Sequence, residues 1–261
     1  MFITPNWPAP KQIKALCTTR EGGVSTAPFD SFNLALHVGD EPQCVVENRR
    51  RLIAQAKLSS SPFWLDQQHT DVAIKLSNTC SNTSNLKNSP PPIADASWTI
   101  EKGCISVVMT ADCLPLLITN QQGTLVCAIH AGWKGLQKGI VQKTILEFSS
   151  QVNGCSPQEL LVWIGPAIQQ NCFEVGQDVL DLFLENDPLN KAFFTPLPIG
   201  GGKKTQKYLA NLVGLVTKEL NALGITAVFG GDLCSYSQND LFYSYRRSGQ
   251  TGRMASLIWM E

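Results

Sequence analysis

Hydrophobic positions along the chain follow two repeat lengths. Apolar residues recur at helical spacing over residues 41–58, 135–151 and 206–223, which predicts three amphipathic helices. Asp40 precedes the first of these and Gln43 follows three residues later, a pattern typical of a helix N-terminus. Continuous or alternating apolar runs predict strands at five places, residues 105–109, 115–119, 124–130, 160–164 and 225–229.

The predicted helices and strands mix along the chain with no break in composition. The pattern therefore predicts one α/β (α+β) domain over residues 1–261, a single compact unit of mixed β-sheets layered with outer helices. Two segments interrupt the pattern. Residues 77–92 are polar, of low complexity and end in prolines, and we predict an exposed polar loop there. Residues 196–205 contain three consecutive glycines and predict a flexible Gly-rich loop.

The overall composition and charge limit the kinds of binding partner that the chain is expected to have. Lysine plus arginine number 21, as do aspartate plus glutamate, so no overall charge attracts the chain to nucleic acid or to a membrane surface. No apolar run approaches the roughly 18 residues of a membrane span, and the start "MFITPNWPAP" does not have the pattern of a signal peptide. We expect a cytoplasmic monomer or small homo-oligomer, with no nucleic-acid or membrane partner.

The cysteines are many but scattered. Nine cysteines in 261 residues, an odd number at wide spacings, argue against a disulfide framework. We expect most of them to be free thiols that pack as small apolar groups, with no disulfide bonds in an ordinary preparation.

The chain has three histidines, and each lies where an apolar or aromatic segment gives way to a turn. Zinc takes imidazole nitrogen and thiolate sulfur, and His69, Cys113 and His130 would supply two nitrogens and one sulfur. Their long spacings do not match a structural zinc finger and fit ligands gathered from separate strands around a cleft. The alternative is ordinary histidines with local hydrogen-bond partners.

Several stretches together resemble one known family. They are "TTREGGVSTAPFDSFNLALHVGD", "WLDQQH", "ADASWT", "VMTADCLPLL", "AIHAGWKGL", "WIGPAI", "FEVG" and "SYRRSGQTGRMASLIW". In this order they are similar to the YfiH family, whose members are described as laccase-domain or multicopper polyphenol oxidase-like proteins and as purine nucleoside phosphorylases. The resemblance runs from about residue 14 to the C-terminus. It implies the YfiH or cysteine-hydrolase-like fold, with a zinc held by His69, Cys113 and His130.

The resemblance also implies a reaction. It points to phosphorolysis of adenosine, inosine, guanosine and methylthioadenosine, together with deamination of adenosine, so purine nucleosides and phosphate are the expected small-molecule partners. Phosphate is bound well by guanidinium groups. The "YRRSGQTGR" turn is the preferred place, because three arginines can converge there on one anion. The candidates are Arg20, Arg49, Arg246, Arg247 and Arg253.

Three residues are candidates for catalysis in this scheme. Zinc lowers the pKa of a bound water, which suits deamination at the purine C6, and Cys113 takes part as a ligand. His37 is the spare histidine and is either a general acid or base or a packed side chain. Asp112, beside Cys113, either orients a ligand or caps a turn.

Two other enzyme classes remain as alternatives. A copper-dependent polyphenol oxidase is one, because Cu²⁺ binds a His-Cys-His set well, although three histidines are few for a multicopper centre. A thiol hydrolase acting on peptidoglycan precursors is the other, with Cys113 as nucleophile and His130 as base.

Overall fold

The computed structural model describes residues 2–77, 90–152, 155–198 and 205–261, which form three β-sheets and six α-helices. The strands are β1 (Phe2–Ile3), β2 (Ile13–Thr18), β3 (Ala73–Lys75), β4 (Ala96–Thr99), β5 (Ser106–Thr110), β6 (Leu114–Asn120), β7 (Val126–Ala131), β8 (Leu160–Ile164), β9 (Glu174–Gly176), β10 (Phe194–Pro196), β11 (Lys207–Ala210), β12 (Val228–Gly230) and β13 (Met254–Met260). The helices are α1 (Pro42–Gln55), α2 (Trp133–Gln137), α3 (Ile140–Gln151), α4 (Gln177–Asn186), α5 (Leu212–Ala222) and α6 (Tyr245–Ser248). Short 3₁₀ turns lie at Leu36–Val38, Pro157–Glu159, Gln170–Cys172 and Pro188–Phe193.

A six-stranded mixed sheet, in the order β12-β8-β6-β7-β4-β3, forms the centre of the fold. Every residue of β6, β7 and β8 is buried, which explains why these strands are nearly continuous apolar runs in the sequence. Their alternate side chains enter two different cores. Leu116 and Ile129 pack with α3, α4 and α5 on one face, whereas Leu117 and Ala128 pack against the second sheet on the other.

The second sheet has four antiparallel strands in the order β1-β2-β13-β5. Its outer face packs against α1 through a third apolar cluster that includes Leu52, Val107 and Leu257. The molecule is therefore layered as helices, six-stranded sheet, four-stranded sheet and α1, which confirms the predicted fold class. A small antiparallel sheet, β10-β11-β9, lies beside α4.

The first predicted helix forms as expected, but its N-terminus was assigned wrongly. Glu41 is the N-cap and makes no side-chain cap hydrogen bond, and Pro42 begins the helix. The Asp40 carboxylate instead accepts hydrogen bonds from the Ser25 hydroxyl at 2.6 Å and the Asn33 amide at 2.8 Å. Asp40 therefore holds the preceding loop and does not cap α1 through a capping box.

The other two predicted helices are each interrupted. Residues 135–151 form the end of α2 and then α3, because Gly139 between them has a left-handed φ of 81°. Residues 206–223 begin as strand β11. Asn211 then caps α5, since its side chain accepts from the Gly214 N–H at 2.8 Å.

Both predicted loops fall largely outside the described residues, at 78–89 of the first and 199–204 of the second. The eight cysteines that are described are all free thiols. Within the described ranges no helix has the length and apolar character needed to cross a membrane.

Glu219 on α5 gives the stability a pH dependence. Burial raises the pKa of its carboxyl to about 7, although the Gln142 N–H at the start of α3 donates to it at 3.0 Å. A carboxyl whose pKa is raised by folding destabilises the fold increasingly as pH rises from its unfolded value of 4.5 through 7. We expect Glu219→Gln to be more stable than the parent chain by about 1 kcal/mol at pH 8, after allowance for partial exposure.

Urea unfolding at pH 4 and pH 8 measures this difference. The advantage of Glu219→Gln should be small at pH 4, and Glu185→Gln, at an exposed position on α4, is the control that should show no such dependence. An equal effect of Glu219→Gln at both pH values would contradict the assignment.

Candidate functional site

The pairing of β6 with β7 places two of the predicted ligands side by side. In this antiparallel register Leu114 faces Ala131, so Cys113, one residue before β6, lies opposite Gly132. His130 lies on β7 two residues before Gly132 and is 4% exposed. A Cβ on Gly132 would lie 2.9 Å from the Cys113 sulfur and 2.5 Å from Cδ2 of His69. Only glycine leaves room there for the two side chains.

Asp95, immediately before β4, brings the third ligand to the same edge of the sheet. Its buried carboxylate accepts hydrogen bonds from the backbone N–H groups of Gln68, His69 and Thr70 at 3.3, 3.1 and 2.6 Å, and from the Thr70 hydroxyl at 2.7 Å. These contacts hold the chain in a tight turn, in which His69 has a φ of 57°.

The same carboxylate also orients His130. Nδ1 of that ring lies 2.7 Å from Oδ1 of Asp95, and the backbone N–H of His130 donates to the Asp95 carbonyl at 2.7 Å. Because Nδ1 is occupied, Nε2 is the nitrogen left to face the cluster. Burial opposes ionisation of Asp95, but hydrogen bonds from His130 and Thr70 and the charge of His130 lower its pKa to about 2.

The three side chains form one compact cluster. The sulfur of Cys113 is 3.6 Å from Nε2 of His69, the His69 and His130 rings meet edge to face with centroids 4.8 Å apart, and the ligand atoms of all three lie within 4.8 Å of one another. A zinc ion bonds nitrogen at about 2.0–2.1 Å and sulfur at about 2.3 Å, so a small closing movement would bring all three onto one ion.

The electrostatics of the cluster favour a thiolate. Burial raises the pKa of Cys113, but the charge of His130 and hydrogen bonds from His130 and His69 outweigh it and lower the pKa to about 6. Burial likewise opposes protonation of His130, yet the Cys113 thiolate and Asp95 raise its pKa to about 9. The thiolate is the form of cysteine that binds a metal ion, and the donor set of two imidazoles and one thiolate fits zinc or another transition metal.

A cavity of about 450 Å³ opens onto this cluster. All three histidines of the chain, His37, His69 and His130, line it, as do the aromatic side chains of Trp133, Phe173 and Tyr245. The sequence pattern did not identify these aromatic residues, because α2, the loop before β9 and α6 are far apart along the chain.

Two of the predicted phosphate-binding arginines line the cavity. The Arg246 guanidinium lies 5.0 Å from the centre of the Phe173 ring, and its Nη1 donates to the Glu174 carbonyl at 2.7 Å. Arg253 donates from Nη1 to the carbonyls of Thr251 and Gly252 at 2.8 and 3.0 Å. Both guanidinium groups are thus fixed beside the cavity by backbone contacts.

The structure places the other three arginines elsewhere. Arg20 forms an ion pair with Asp30 at 3.0 Å beside a separate surface depression. Arg49 stacks 3.8 Å from the centre of the Trp64 ring and donates to the Leu34 carbonyl.

Arg247 faces away from the cavity. Its guanidinium donates to the carbonyls of Ser235, Tyr236 and Phe242 at 2.7–2.8 Å. These contacts tie α6 to the loop that precedes it.

Asp112 connects the His-Cys-His cluster to the arginine side of the cavity. It adopts a φ of 95° in the turn before Cys113, and its carboxylate accepts from the Ser235 hydroxyl at 2.7 Å and the Arg246 N–H at 2.6 Å. It therefore holds α6 against the turn that carries Cys113.

His37 lies exposed at the mouth of the cavity, on the 3₁₀ turn Leu36–Val38. Partial burial and the positive charges of Arg253 and Arg49 lower its pKa below the ordinary value of 6.5, against the opposing charge of Asp66. A neutral imidazole is thus available there to accept a proton near neutral pH.

The layered α/β fold and the His-Cys-His cluster define a candidate metal centre with an adjoining small-molecule cavity. Residues 14–261 match the multi-copper polyphenol oxidoreductase laccase family, and the chain belongs to that family. Two relatives carry a different functional name. The purine nucleoside phosphorylase YfiH of Shigella flexneri is 42% identical over 259 residues, which cover 99% of this chain and 98% of the relative. A purine nucleoside phosphorylase of Haemophilus influenzae is 44% identical over 259 residues, 99% of each chain. The resemblance drawn from the sequence motifs is confirmed.

Solved structures agree with the fold. A crystal structure of a Neisseria meningitidis DUF152 protein is 42% identical and superposes with a TM-score of 0.86, covering 100% of this chain and 99% of that one. The YlmD structure from Geobacillus stearothermophilus is 28% identical, with a TM-score of 0.85 over 100% of this chain and 96% of that one.

Replacing Asp95 by asparagine tests whether its carboxylate positions His69 and His130 for metal binding. The variant keeps the size of the side chain but loses one acceptor oxygen and the charge, so the turn at His69 and the ring of His130 are both held less firmly. We expect zinc affinity to fall about 10- to 100-fold, measured by competition with a chromophoric chelator. Asp71→Asn, which removes a surface ion pair with Lys143, should leave the affinity unchanged. Equal affinities for the parent chain and Asp95→Asn would refute the proposed support.

Replacing Gly132 by alanine tests the space between the ligands. The backbone angles there, φ −69° and ψ 163°, suit alanine, so only the close approach of His69 and Cys113 opposes the methyl group. We expect the variant to bind much less added zinc than the parent chain, while the circular dichroism spectrum remains native. Metal content by elemental analysis decides the outcome, and full occupancy in Gly132→Ala would show that the cluster tolerates the shift.

Proposed function

We propose that the chain is a zinc-dependent purine nucleoside phosphorylase that also deaminates adenosine. The observation that carries this proposal is the composition of one cavity, which contains the His-Cys-His cluster, two anchored arginines and three aromatic side chains. Relatives over 40% identical across nearly the whole chain bear the phosphorylase name. The expected substrates are adenosine, inosine, guanosine and methylthioadenosine with phosphate, and the expected location is the cytoplasm.

Phosphate would bind at Arg246 and Arg253. The hydrogen bonds that the described residues make to these guanidinium groups use Nη1 of each. Nε–H and Nη2–H donors therefore remain for phosphate oxygens, which guanidinium binds in a paired geometry. Asp112 supports this role because it holds the Arg246 backbone in place.

The purine ring would pack against the aromatic side chains that line the cavity. Phe173 is 7% exposed and forms a fixed surface, whereas Tyr245 is 60% exposed and is accessible at the mouth of the cavity. Flat aromatic faces suit stacking with a heterocyclic base. A nucleoside bound in this way would have its base at the aromatic side chains and its ribose between the arginines and the metal cluster.

His69, Cys113 and His130 would hold the ion. When bound, zinc supplies Lewis acidity and an activated water to the reaction. His37 would move the proton: its neutral ring accepts one at the mouth of the cavity and returns it to the departing group. Cys113 serves as a ligand in this scheme.

The family name points to copper chemistry, but the histidine count opposes a multicopper centre. The chain has three histidines, and all three line the cavity beside the cluster. No histidine remains to build a second copper site elsewhere. Cu²⁺ would still bind the His-Cys-His set tightly, so copper loading by itself does not identify an oxidase.

Base release from inosine tests the phosphorylase reaction. We expect zinc-loaded protein to release hypoxanthine only when phosphate is present and to yield ribose 1-phosphate. Arg253→Ala should raise the KM for phosphate about 10- to 100-fold, because one charge-assisted contact contributes about 1.5–3 kcal/mol. Arg50→Ala, on the exposed face of α1 beside Glu47, is the control and should not change it. Product analysis by chromatography and zinc content by elemental analysis are the readouts.

The same assay separates the other activities. Adenosine deamination should proceed without phosphate and survive in Arg253→Ala. A thiol hydrolase would not turn over nucleosides, its activity would not depend on phosphate, and alkylation of Cys113 would inactivate it. A polyphenol oxidase would consume oxygen in proportion to its copper content. No base release from inosine at ample phosphate, with zinc bound, would overturn the phosphorylase proposal.

A further inference from the structure

The backbone carbonyl of His69 is held by a lysine from another part of the chain. Nζ of Lys138 donates to this carbonyl at 3.0 Å. Lys138 is the C-cap residue of α2, and its backbone N–H donates to the carbonyl of Lys134 at 3.1 Å. The end of the helix therefore fixes the place from which the lysine side chain reaches the turn at His69.

The backbone conformation of His69 requires support of this kind. Its φ of 57° lies in the left-handed region, which is disfavoured for a residue with a Cβ and persists only where the surroundings hold it. Asp95 supplies part of the support, because its carboxylate accepts from the N–H groups of His69 and Thr70 at 3.1 and 2.6 Å. A carboxylate cannot donate to the His69 carbonyl, and Lys138 supplies that donor.

Lys138 and Asp95 thus hold the two ends of one peptide unit. The carbonyl of His69 and the N–H of Thr70 belong to the same planar group. Nζ of Lys138 binds the carbonyl and the Asp95 carboxylate binds the N–H, so a rotation of this group would break both contacts. The orientation of the group sets the direction in which the imidazole of His69 leaves the backbone.

The segment that carries His130 also brings Lys138 to this turn. Strand β7 ends at Ala131, and α2 begins at Trp133. A Cβ on Gly135 would lie 3.2 Å from the Thr70 carbonyl, so α2 passes close to the turn that carries His69. The segment from His130 to Lys138 therefore contains one of the two histidines of the cluster and the contact that holds the backbone of the other.

We propose that Lys138 is a positioning residue for the metal ligand His69. Its ammonium fixes the peptide unit after His69 and so keeps the imidazole directed at Cys113, whose sulfur lies 3.6 Å from Nε2. An ammonium has no lone pair to offer a metal ion, so Lys138 acts through His69 alone. This role rests on the metal centre of the proposed function, but not on the nucleoside reaction.

A second lysine provides a matched control. Lys143 on α3 pairs with the side chain of Asp71, which belongs to the same part of the chain as His69. The two lysines therefore bind different groups: Lys138 binds the backbone of the ligand, whereas Lys143 binds a carboxylate on the surface. Removal of either lysine takes one positive charge from this region, but only removal of Lys138 frees the His69 carbonyl.

Zinc affinity of the full chain, measured by competition with a chromophoric chelator, tests the role. We expect Lys138→Ala to bind zinc about 3- to 10-fold more weakly than the parent chain, because one hydrogen bond that holds the ligand is lost. Lys143→Ala should keep the parent affinity. Lys138→Arg retains a charged donor at this position and should restore most of the affinity.

Cobalt(II) gives a readout that a general loss of stability would not produce. Visible absorption of the Co²⁺-loaded protein reports the arrangement of its imidazole and thiolate ligands. We expect Lys138→Ala to shift these bands, whereas the parent chain, Lys143→Ala and Lys138→Arg should share one spectrum. Urea unfolding of the metal-free proteins should give the same midpoint for Lys138→Ala and Lys143→Ala.

Equal zinc affinities and identical cobalt spectra for the parent chain and Lys138→Ala would overturn the proposal. An equal loss of affinity in Lys143→Ala would also overturn it, because the effect would then come from surface charge. The same holds for a loss of affinity with an unshifted spectrum and a lower urea midpoint, since the lysine would then only stabilise α2.

The outcome for Lys138 is distinguishable from the outcome for the proposed function. A parent chain that binds neither zinc nor cobalt would reject the metal centre, and the role of Lys138 with it. The expected pattern of affinities and spectra without any nucleoside turnover would uphold the role of Lys138 and reject the phosphorylase reaction.

Discussion

The site depends on one buried carboxylate. Asp95 accepts hydrogen bonds from three consecutive backbone N–H groups around His69 and from the ring of His130, and so positions two ligands from separate parts of the chain. A buried charge destabilises the fold unless it is paired and hydrogen-bonded. The hydrogen bonds that stabilise the Asp95 carboxylate are the same contacts that position the two histidines. Because the same group fixes a backbone turn and a ring orientation, the two histidines cannot be displaced independently.

The strand register supplies the remaining ligand. The central sheet places Asp95 opposite His130 and Cys113 opposite Gly132, because β4 and β6 flank β7. Three of the groups needed for the site therefore lie at the ends of three neighbouring strands. Strands buried on both faces are among the most rigid parts of a fold, and this explains how the His-Cys-His cluster keeps its geometry beside an open cavity. Turns at the strand ends then let the side chains leave the sheet.

The sequence predicted the site unevenly, for physical reasons. Ligand chemistry and the family resemblance together identified His69, Cys113 and His130, since few side chains bind a transition metal. The role of Asp95 was missed because its partners are distant along the chain and an aspartate before a strand has no distinctive pattern. The "YRRSGQTGR" stretch showed three arginines but not their directions. A backbone turn decides that Arg246 and Arg253 reach the cavity while Arg247 donates to carbonyls behind it. Strand β11 was taken for helix because its apolar residues fit both periodicities, and pairing with β9 and β10 decided the outcome.

The two names in this family concern different parts of one cavity. A His-Cys-His set binds copper as readily as zinc, so the cluster by itself accounts for an oxidase name. The fold also holds two arginines and three aromatic side chains at the cavity beside this cluster. Asp112, the residue before Cys113, accepts a hydrogen bond from the backbone N–H of Arg246 and a second one from the Ser235 hydroxyl. This coupling favours a reaction in which an anion must be placed at a set distance from the ion, as nucleoside phosphorolysis requires.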